Sequence, residues 1–536
     1  MRKISGIVVL FLIITRISAF ETDTYHVNKY SLNIDIYKCF FKPYPASFEG
    51  SVNINFQALS DIQSLNLNAN NFSLKIDSIS PAIYSFEHGN RILKINFNKT
   101  ISAGDTTSFQ IYYHHLNVRD NAFYAENGLV YTDCESQKAR NWFPCDDRPS
   151  DKAFFDIIVK TPVSAKLGSN GLLIDSTVSG DTLYYHWASK HPIATYLMVI
   201  VGSVNYNLDI FYTSNINGDI PIRCYWRTWD DSSDVKKMEK IIIPLNDFYS
   251  RLFGDYPFEK IGFANVDTLF TWGGMENQTM ITLCPYCWRD DIVVHEFAHQ
   301  WFGDMISPAS WADIWLNESF ATYCEALWEE HTGGYKAYKL KIDEDADEYL
   351  YSNPQTPIYD SAWINTPPSD DVLFNPATSY NKGACVLHML RYVIGDELLF
   401  KVLREYANDP KFQYKNASTK DFIEKANSVT GLDLTDFFYQ WLTTRNYPIY
   451  KYSYKIEEKE SDNWEIDFNL RQADNDKIFK MPVELQVTFK DYTDTTIKVN
   501  NDSKNQNFKL SFKKEPLKIV FDPHRNIVIK DVSRTK

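Results

Sequence analysis

The sequence contains almost none of the features that mark membrane-spanning, nucleic-acid-binding or fibrous proteins. After residue 19, no segment of the 536-residue chain is apolar over the length that a membrane-spanning helix needs. It has no low-complexity tract and no internal repeat, which excludes solenoid and fibrous architectures. The formal net charge is −14, and an acidic surface argues against nucleic acid as a partner. We therefore expect a large globular protein.

Cysteine is also sparse, with eight residues in the chain. Their pairing cannot be read from the sequence. Cys284 and Cys287 form the only C-x-x-C pair, and two cysteines alone cannot build a structural zinc site. No thioredoxin-like strand–helix–strand pattern surrounds them, so we favour a local disulfide or buried thiols over a redox role.

Residues 1–19 have the pattern of a signal peptide. A basic start is followed by an apolar run from Ile4 to Ile14 and by a small-residue cleavage site that ends at Ala19. The run is too short to span a bilayer, and a retained signal anchor is the alternative interpretation. We predict an exported protein that is secreted, periplasmic or held at the cell surface, with no transmembrane segment in the mature chain.

Length and hydrophobic pattern predict a multidomain α+β protein with three domains. Residues 20–206 show repeated alternation of apolar and polar residues, as in YSLNIDIY and GSVNINF, which indicates an N-terminal antiparallel β domain. Residues 207–445 contain longer helical stretches. Alternation returns over residues 446–536 and predicts a compact C-terminal β-sandwich.

The most specific local signal is HEFAH, residues 295–299. On a helix, His295 and His299 lie one turn apart on one face and can share a metal ion. Glu296 can hydrogen-bond a water on that metal and act as a base. Catalytic zinc takes three protein ligands, and Glu318 in WLNESF is the natural third. We predict one Zn²⁺ per chain.

A second helix is predicted from about Trp311 to His331, and the glycines at 333 and 334 are expected to end it. Glu325 lies seven residues after Glu318 and so on the same face. A metal-ligating histidine usually donates its other N–H to a carboxylate, which makes Glu325 a candidate to orient one. A solvated surface carboxylate is the alternative.

Four segments, in this order, resemble the gluzincin zinc aminopeptidases related to aminopeptidase N and leukotriene-epoxide hydrolase. They are CESQKARNWFPCDDRP from residue 134, GGMEN from residue 273, HEFAHQWFGD with WLNESF, and SYNKGACVLHML from residue 379. This resemblance implies that the middle domain is a thermolysin-like, mainly helical catalytic domain.

The resemblance also implies roles for individual residues. Glu296 would act as general base and then as general acid, and Tyr380 would donate a phenolic hydrogen bond to the developing oxyanion. The substrates would be peptides with a free N-terminal amine, held by Glu276 and by Glu135. A solvent-facing position in a turn is the alternative for Glu135.

The GGMEN segment resembles the exopeptidase signature of the same family. Its residues are predicted to bind substrate: Gly273, Gly274, Met275, Glu276 and Asn277. The two glycines, which lack a Cβ, would let the substrate backbone approach and pair as an added edge strand. Residues near Glu135 and at 270–272 would line part of the pocket for the first side chain.

Two other functions stay open at this point. A thermolysin-like endopeptidase shares HExxH and a downstream glutamate, but Glu135 and GGMEN would obstruct a chain that continues past the cleavage point. A non-catalytic binding protein on the same fold would have lost a ligand, Glu296 or Tyr380, and the sequence retains them all. Many relatives continue into a helical domain that caps the cleft, and we expect no such C-terminal cap domain here.

Overall fold

A computed structural model describes residues 23–216, 218–460, 463–473 and 477–535. The predicted signal peptide, residues 1–19, lies outside the described residues. Within these ranges, no helix combines the length and apolar character needed to cross a membrane.

Three sheets form the N-terminal region, which confirms the predicted β-rich domain. Its strands are β1 (Tyr25–Asp35), β2 (Glu49–Ala58), β3 (Ile62–Asn68), β4 (Leu74–Ser80), β5 (Ser85–Gly89), β6 (Ile92–Ile101), β7 (Thr106–His115), β8 (Phe123–Glu126), β9 (Leu129–Thr132), β10 (Phe154–Pro162), β11 (Lys166–Ser169), β12 (Leu172–Ser179), β13 (Thr182–Ala188) and β14 (Ile200–Ser203). The strand orders are β12-β13-β10-β1-β2-β7-β4, β11-β14-β9-β8 and β3-β6-β5.

The expected period-two pattern is seen in β2, β7 and β10. In β2 the buried positions alternate, and Val52, Ile54 and Phe56 face the core. One pair departs from the predicted antiparallel arrangement, because β1 pairs with β10 in parallel. Parallel neighbours need a long connection, and here eight strands lie between the two.

The middle region opens with a five-stranded sheet and continues into helices. Its strands are β15 (Tyr206–Asn215), β16 (Gly218–Arg227), β17 (Ile261–Asn265), β18 (Gly274–Met275), β19 (Ile281–Leu283), β20 (Ile306–Pro308) and β21 (Lys415–Ala417). Its helices are α1 (Ser232–Phe253), α2 (Asp290–Ala298), α3 (Trp315–Gly333), α4 (Tyr335–Ser352), α5 (Asp370–Leu373), α6 (Gly383–Ile394), α7 (Asp396–Ala407), α8 (Thr419–Thr430) and α9 (Thr435–Leu442). The prediction of a helical middle domain is confirmed.

The sheet of this region places one short strand at its edge. The order is β15-β16-β17-β19-β18, so β18 has a hydrogen-bonded neighbour on one side only. The residues of β18 pair antiparallel with those of β19, Gly274 opposite Leu283 and Met275 opposite Thr282. The edge therefore presents unpaired backbone groups to the space in front of α2.

The two helices that carry the predicted ligands differ slightly from expectation. Helix α2 ends at Ala298, but His299 keeps helical dihedral angles (φ −58°, ψ −24°), so the one-turn spacing of the two histidines is preserved. Helix α3 begins at Trp315 rather than Trp311, because residues 311–313 form a separate 3₁₀ turn. Gly334 follows α3 with φ of 75°, a conformation that favours glycine.

The C-terminal region consists of two facing sheets. Its strands are β22 (Ile449–Glu460), β23 (Asn463–Ala473), β24 (Met481–Phe489), β25 (Asp494–Asn501), β26 (Asn505–Phe512), β27 (Pro516–Phe521) and β28 (Asp531–Arg534). The orders are β26-β23-β22-β28 and β25-β24-β27. Aromatic contacts join the sheets, for example Tyr450 with Phe521 at 5.1 Å between ring centroids. The expected absence of a helical cap domain stays a prediction.

Candidate active site

Two helices bring the three predicted metal ligands together. Helix α2 and the residue after it supply His295 and His299, and the first half of α3 supplies Glu318. Glu318 Oε2 lies 3.4 Å from His295 Nε2 and 3.5 Å from His299 Nε2. One ligand atom from each of the three lies within 4.8 Å of the others. This arrangement can hold a single ion.

The donor chemistry of this set fits a cation. His299 Nδ1 lies 3.0 Å from the carbonyl oxygen of Phe302, which can only accept, so Nδ1 carries the proton. In the neutral ring, Nε2 then carries a lone pair on the side of Glu318. Burial opposes ionisation of Glu318, but the attraction of the two histidines in their protonated form outweighs it and holds the pKa of its carboxyl at about 2. With both rings neutral, a carboxylate and two lone pairs would face each other, and Zn²⁺ between them would satisfy all three.

Glu325 orients the first histidine. Its Oε1 accepts a hydrogen bond from His295 Nδ1 at 2.7 Å. The carboxylate is also paired with Lys341 at 3.1 Å, and Lys341 in turn contacts Asp345 at 2.7 Å. The Glu325 side chain is 15% exposed, so the structure places it against the imidazole rather than in solvent. Such a partner fixes the ring orientation and directs Nε2 toward the metal position.

Glu296 lies in the cleft against the edge strand. A Cβ on Gly274 would lie 2.5 Å from Cδ of Glu296, so only glycine leaves room for this carboxylate. Burial raises the pKa of Glu296 to about 8. A dication at the neighbouring ligands would lower that pKa by its charge, so the residue can exchange a proton near neutral pH.

Tyr380 lines the same cleft. It belongs to a short π-helical turn, Pro376–Lys382, and its ring stacks on the imidazole of His295 with centroids 5.8 Å apart. Burial, together with the carboxylates of Glu318 and Glu135, holds the pKa of Tyr380 well above its usual range. The phenol therefore stays protonated and can donate a hydrogen bond.

A second group of acidic side chains shares Glu318 with the predicted metal ligands. One carboxylate oxygen each of Glu135, Glu276 and Glu318 lies within 4.8 Å of the others. The Oε1 atoms of Glu135 and Glu276 are buried and have no hydrogen-bond partner among the described residues. Burial, followed by repulsion from neighbouring carboxylates, raises the pKa of Glu135 well above its usual range. A cation placed here would relieve both the repulsion and the missing hydrogen bonds.

The GGMEN segment divides into residues in the cleft and residues beneath it. Gly273, Gly274 and Glu276 line the cleft. The side chains of Met275 and Asn277 are buried, and Asn277 accepts a hydrogen bond from Thr282 Oγ1 at 3.0 Å. Of the predicted substrate-binding residues, these two can therefore reach a substrate only through their backbone.

Some supporting residues were missed by the sequence analysis. Gln300 Nε2 donates to the carbonyl of Glu276 at 3.2 Å and to Asp304 Oδ2 at 2.6 Å. Lys152, from the N-terminal region, donates to the carbonyl of Asp304 at 2.5 Å. Tyr196, also N-terminal, accepts from Asn317 Nδ2 at 3.1 Å. Lys152 and Tyr196 are remote in sequence and belong to no local motif, so no sequence signal could have found them.

The cysteine pair lies next to the edge strand. Cys284 and Cys287 form a disulfide, and the Cys284 N–H donates to the carbonyl of Gly273 at 2.9 Å. The bridge closes the turn between β19 and the start of α2. The other six cysteines are buried thiols.

The predicted catalytic and binding groups line one cleft of about 560 Å³ between the N-terminal region and the helices. The three predicted metal ligands, Glu296 and Tyr380 belong to this lining, and so do Glu135 and Glu276. The fold and this donor set define a zinc metallopeptidase architecture of the gluzincin kind.

Comparison with known proteins identifies the family. The peptidase family M1 domain matches residues 236–441, and the peptidase M1 N-terminal domain matches residues 28–197. The chain belongs to peptidase family M1, which confirms the resemblance seen in the sequence.

Relatives cover much of this chain but are longer than it. The "Probable aminopeptidase 1" of Sulfurisphaera tokodaii is 24% identical over 90% of this chain and 62% of its own length. Aminopeptidase M1-A of Oryza sativa subsp. japonica is 27% identical over 75% of this chain and 49% of its own. The chain thus spans about half to three fifths of the length of these relatives.

Solved structures show the same fold. The M1 zinc metallopeptidase from Deinococcus radiodurans has a TM-score of 0.67 at 22% identity, covering 79% of this chain and 95% of that one. Legionella pneumophila aminopeptidase A, in complex with aspartic acid, has a TM-score of 0.78 at 18% identity, covering 97% of this chain and 61% of that one. At these identities the similarity shows the fold alone.

Proposed function

We propose that this protein is an exported zinc aminopeptidase that removes the first residue from peptides with a free N-terminal amine. The observation that carries the proposal is the pair of carboxylates of Glu135, which is half-buried, and Glu276, which is buried, directly beside the predicted metal ligand Glu318. An ammonium group held by this pair lies close to the metal. The bond placed for attack is then the first peptide bond of the chain.

Each residue has a definite task in this reaction. His295, His299 and Glu318 would hold zinc, and the bound metal would supply a Lewis acid for the activation of water and the polarisation of the scissile carbonyl. Glu296 removes a proton from the attacking water and delivers it to the nitrogen of the departing peptide. Tyr380 donates its phenolic hydrogen to the carbonyl oxygen as negative charge develops there.

The remaining groups bind and align the peptide. Glu135 and Glu276 hold the ammonium in a buried pocket, where charge pairing is stronger than in water. The free edge of β18 offers backbone groups that can pair with an extended substrate. Together they fix the reacting carbonyl between Glu296 and Tyr380.

An endopeptidase is the runner-up function. It would require a chain to continue past Glu135 and Glu276, where an uncharged backbone would leave the two neighbouring carboxylates without a cation. Hydrolysis of an N-acetylated peptide as fast as its free-amine form would support the endopeptidase. A binding protein without activity is disfavoured because the ligands, Glu296 and Tyr380 are all in place.

The test is a panel of aminoacyl-amidocoumarin substrates with and without a chelator. We expect cleavage that the chelator abolishes and that added Zn²⁺ restores. Glu296→Gln should lower kcat by about 10²–10⁴-fold while metal analysis still finds one zinc per chain. Glu344→Gln, an exposed glutamate on α4, is the matched control. Cleavage insensitive to the chelator, or none with any amino acid, would refute the proposal.

Export is proposed from residues 1–19, and the Cys284–Cys287 disulfide supports an oxidising compartment. Mass spectrometry of the exported chain should find Phe20 at its N-terminus. A chain that retains Met1 would contradict cleavage.

A further inference from the structure

One wall of the cleft carries an ion pair that the proposed reaction does not use. Lys138 Nζ lies 3.6 Å from Asp133 Oδ2 and 5.3 Å from the centroid of the Trp272 ring. All three side chains line the same cleft as the ammonium pocket. Asp133 precedes Glu135 by two residues, so this wall begins directly beside the group that holds the substrate amine.

The position of this wall relative to the amine decides what it contacts. With the ammonium between Glu135 and Glu276, the carboxylate of Glu318 lies within 4.8 Å of theirs. Asp133 and Lys138 lie close enough to Glu135 to act on its charge, and both line the same cleft as Trp272. We therefore place the side chain of the first residue beside this wall.

The two charged side chains of the pair differ in their exposure to solvent. The Asp133 side chain is 2% exposed, whereas the Lys138 side chain is 23% exposed. An entering side chain therefore meets the ammonium of Lys138 before the carboxylate beneath it. The distance to Asp133 is longer than a direct hydrogen bond, so Lys138 keeps donors available for a substrate group.

Two further carboxylates of the cleft, Asp370 and Asp371, are both exposed. Asp370 also accepts a hydrogen bond from Ser136 Oγ at 2.8 Å. Water screens exposed carboxylates, so these two do not reverse the sign presented by Lys138. Trp272, 44% exposed, adds an apolar face beside the ammonium.

We propose that Lys138, supported by Asp133, is the residue that sets charge preference for the first amino acid: acidic and uncharged side chains are accepted and basic ones are rejected. The proposal rests on the aminopeptidase function. A carboxylate of the first residue would pair with Lys138, whereas an ammonium or guanidinium would be repelled and could reach Asp133 only by displacing Lys138.

The test compares kcat/KM for Glu-, Leu- and Arg-amidocoumarin in wild type and variants at pH 8. Burial raises the pKa of Asp133 to about 6, so its carboxyl is ionised at that pH. In Lys138→Met the Arg/Leu ratio should rise about tenfold or more and the Glu/Leu ratio should fall about as much, because Asp133 becomes the accessible charge. Lys401→Met, an exposed lysine on α7 whose partner is Glu405, is the matched control.

Removing Lys138 leaves a buried carboxylate unpaired, which can impair folding. Asp133→Asn avoids this risk, and its Arg/Leu ratio should fall further while its Glu/Leu ratio rises. The double variant should discriminate little between charges. If Asp133→Asn, and Lys138→Met where it folds, cleave Leu-amidocoumarin with unchanged Arg/Glu ratios, the proposal is overturned. Absence of chelator-sensitive cleavage in wild type would instead refute the aminopeptidase function, and this inference with it.

Discussion

Replacement of Glu325 tests whether the metal site depends on its support as the geometry indicates. The hydrogen bond from His295 Nδ1 to Glu325 is 2.7 Å long, and the two side chains are 12% and 15% exposed, so solvent screens the charge only weakly. Loss of such a partner lowers metal affinity by about 10–100-fold, or about 1.4–2.8 kcal/mol. Glu325→Gln keeps an acceptor oxygen, so its loss of zinc affinity should be close to tenfold. Glu325→Ala keeps none, so its loss should be close to 100-fold.

The measurement is the zinc dissociation constant, obtained by competition with a fluorescent chelator on metal-free protein. Lys341 keeps Asp345 as a partner at 2.7 Å, so neither variant leaves a lysine unpaired. Glu329→Gln, an exposed glutamate on the same helix, is the matched control and should bind zinc like wild type. If Glu325→Ala bound zinc within about twofold of wild type while melting at the same temperature, the supporting role would be wrong.

Two further substitutions test the groups on either side of the metal. In Gly274→Ala the new Cβ would lie 2.5 Å from Cδ of Glu296 and should displace that carboxylate, lowering kcat about 10²-fold. Gly89→Ala, where nothing lies within 4 Å, should not change kcat, and equal rates in both would contradict the argument. Tyr380→Phe should lower kcat about 10²–10³-fold with KM nearly unchanged, because the lost hydrogen bond forms only as charge develops. Tyr351→Phe, at a 93% exposed position, is its control, and a loss in KM alone would argue for a binding role.

The predicted metal site could be recognised in the sequence because its residues lie in two short segments, each on a single helix. His295 and His299 lie one turn apart, and Glu318 and Glu325 lie two turns apart on α3, so helical periodicity alone places each pair on one face. Helical periodicity does not predict that α2 packs close to α3. The short distances from Glu318 Oε2 to the Nε2 atoms of His295 and His299 result from this tertiary packing.

The ammonium pocket and the wall formed by Lys138, Asp133 and Trp272 could not be predicted from local spacing. Glu135 and Glu276 are far apart in sequence, and only the family resemblance brought them into one hypothesis. The contact of Lys138 with Trp272 also joins two remote segments, and no motif contains Lys138 as a recognisable position. Contacts of this kind depend on how the N-terminal region packs against the helices.

The strands that the sequence analysis overlooked in the middle region have a common physical cause. All five residues of β17, Ile261–Asn265, are buried, so no alternation marks them as a strand. Strand β18 has only two residues, too few for any period. Their assignment depends on hydrogen bonds to neighbouring strands, which the local sequence does not encode.

The cleft lies between two parts of the chain that contribute different chemistry. The predicted metal ligands and Glu296 all belong to the middle region, whereas Glu135 and Lys138 come from the N-terminal region. Glu276 and Trp272, which line the cleft with them, also belong to the middle region. Under the proposed function, the hydrolytic groups therefore lie in one region, and the groups that contact the first residue are shared between two. Substitutions in the N-terminal region should then change which peptides are cleaved and leave the hydrolytic groups in place.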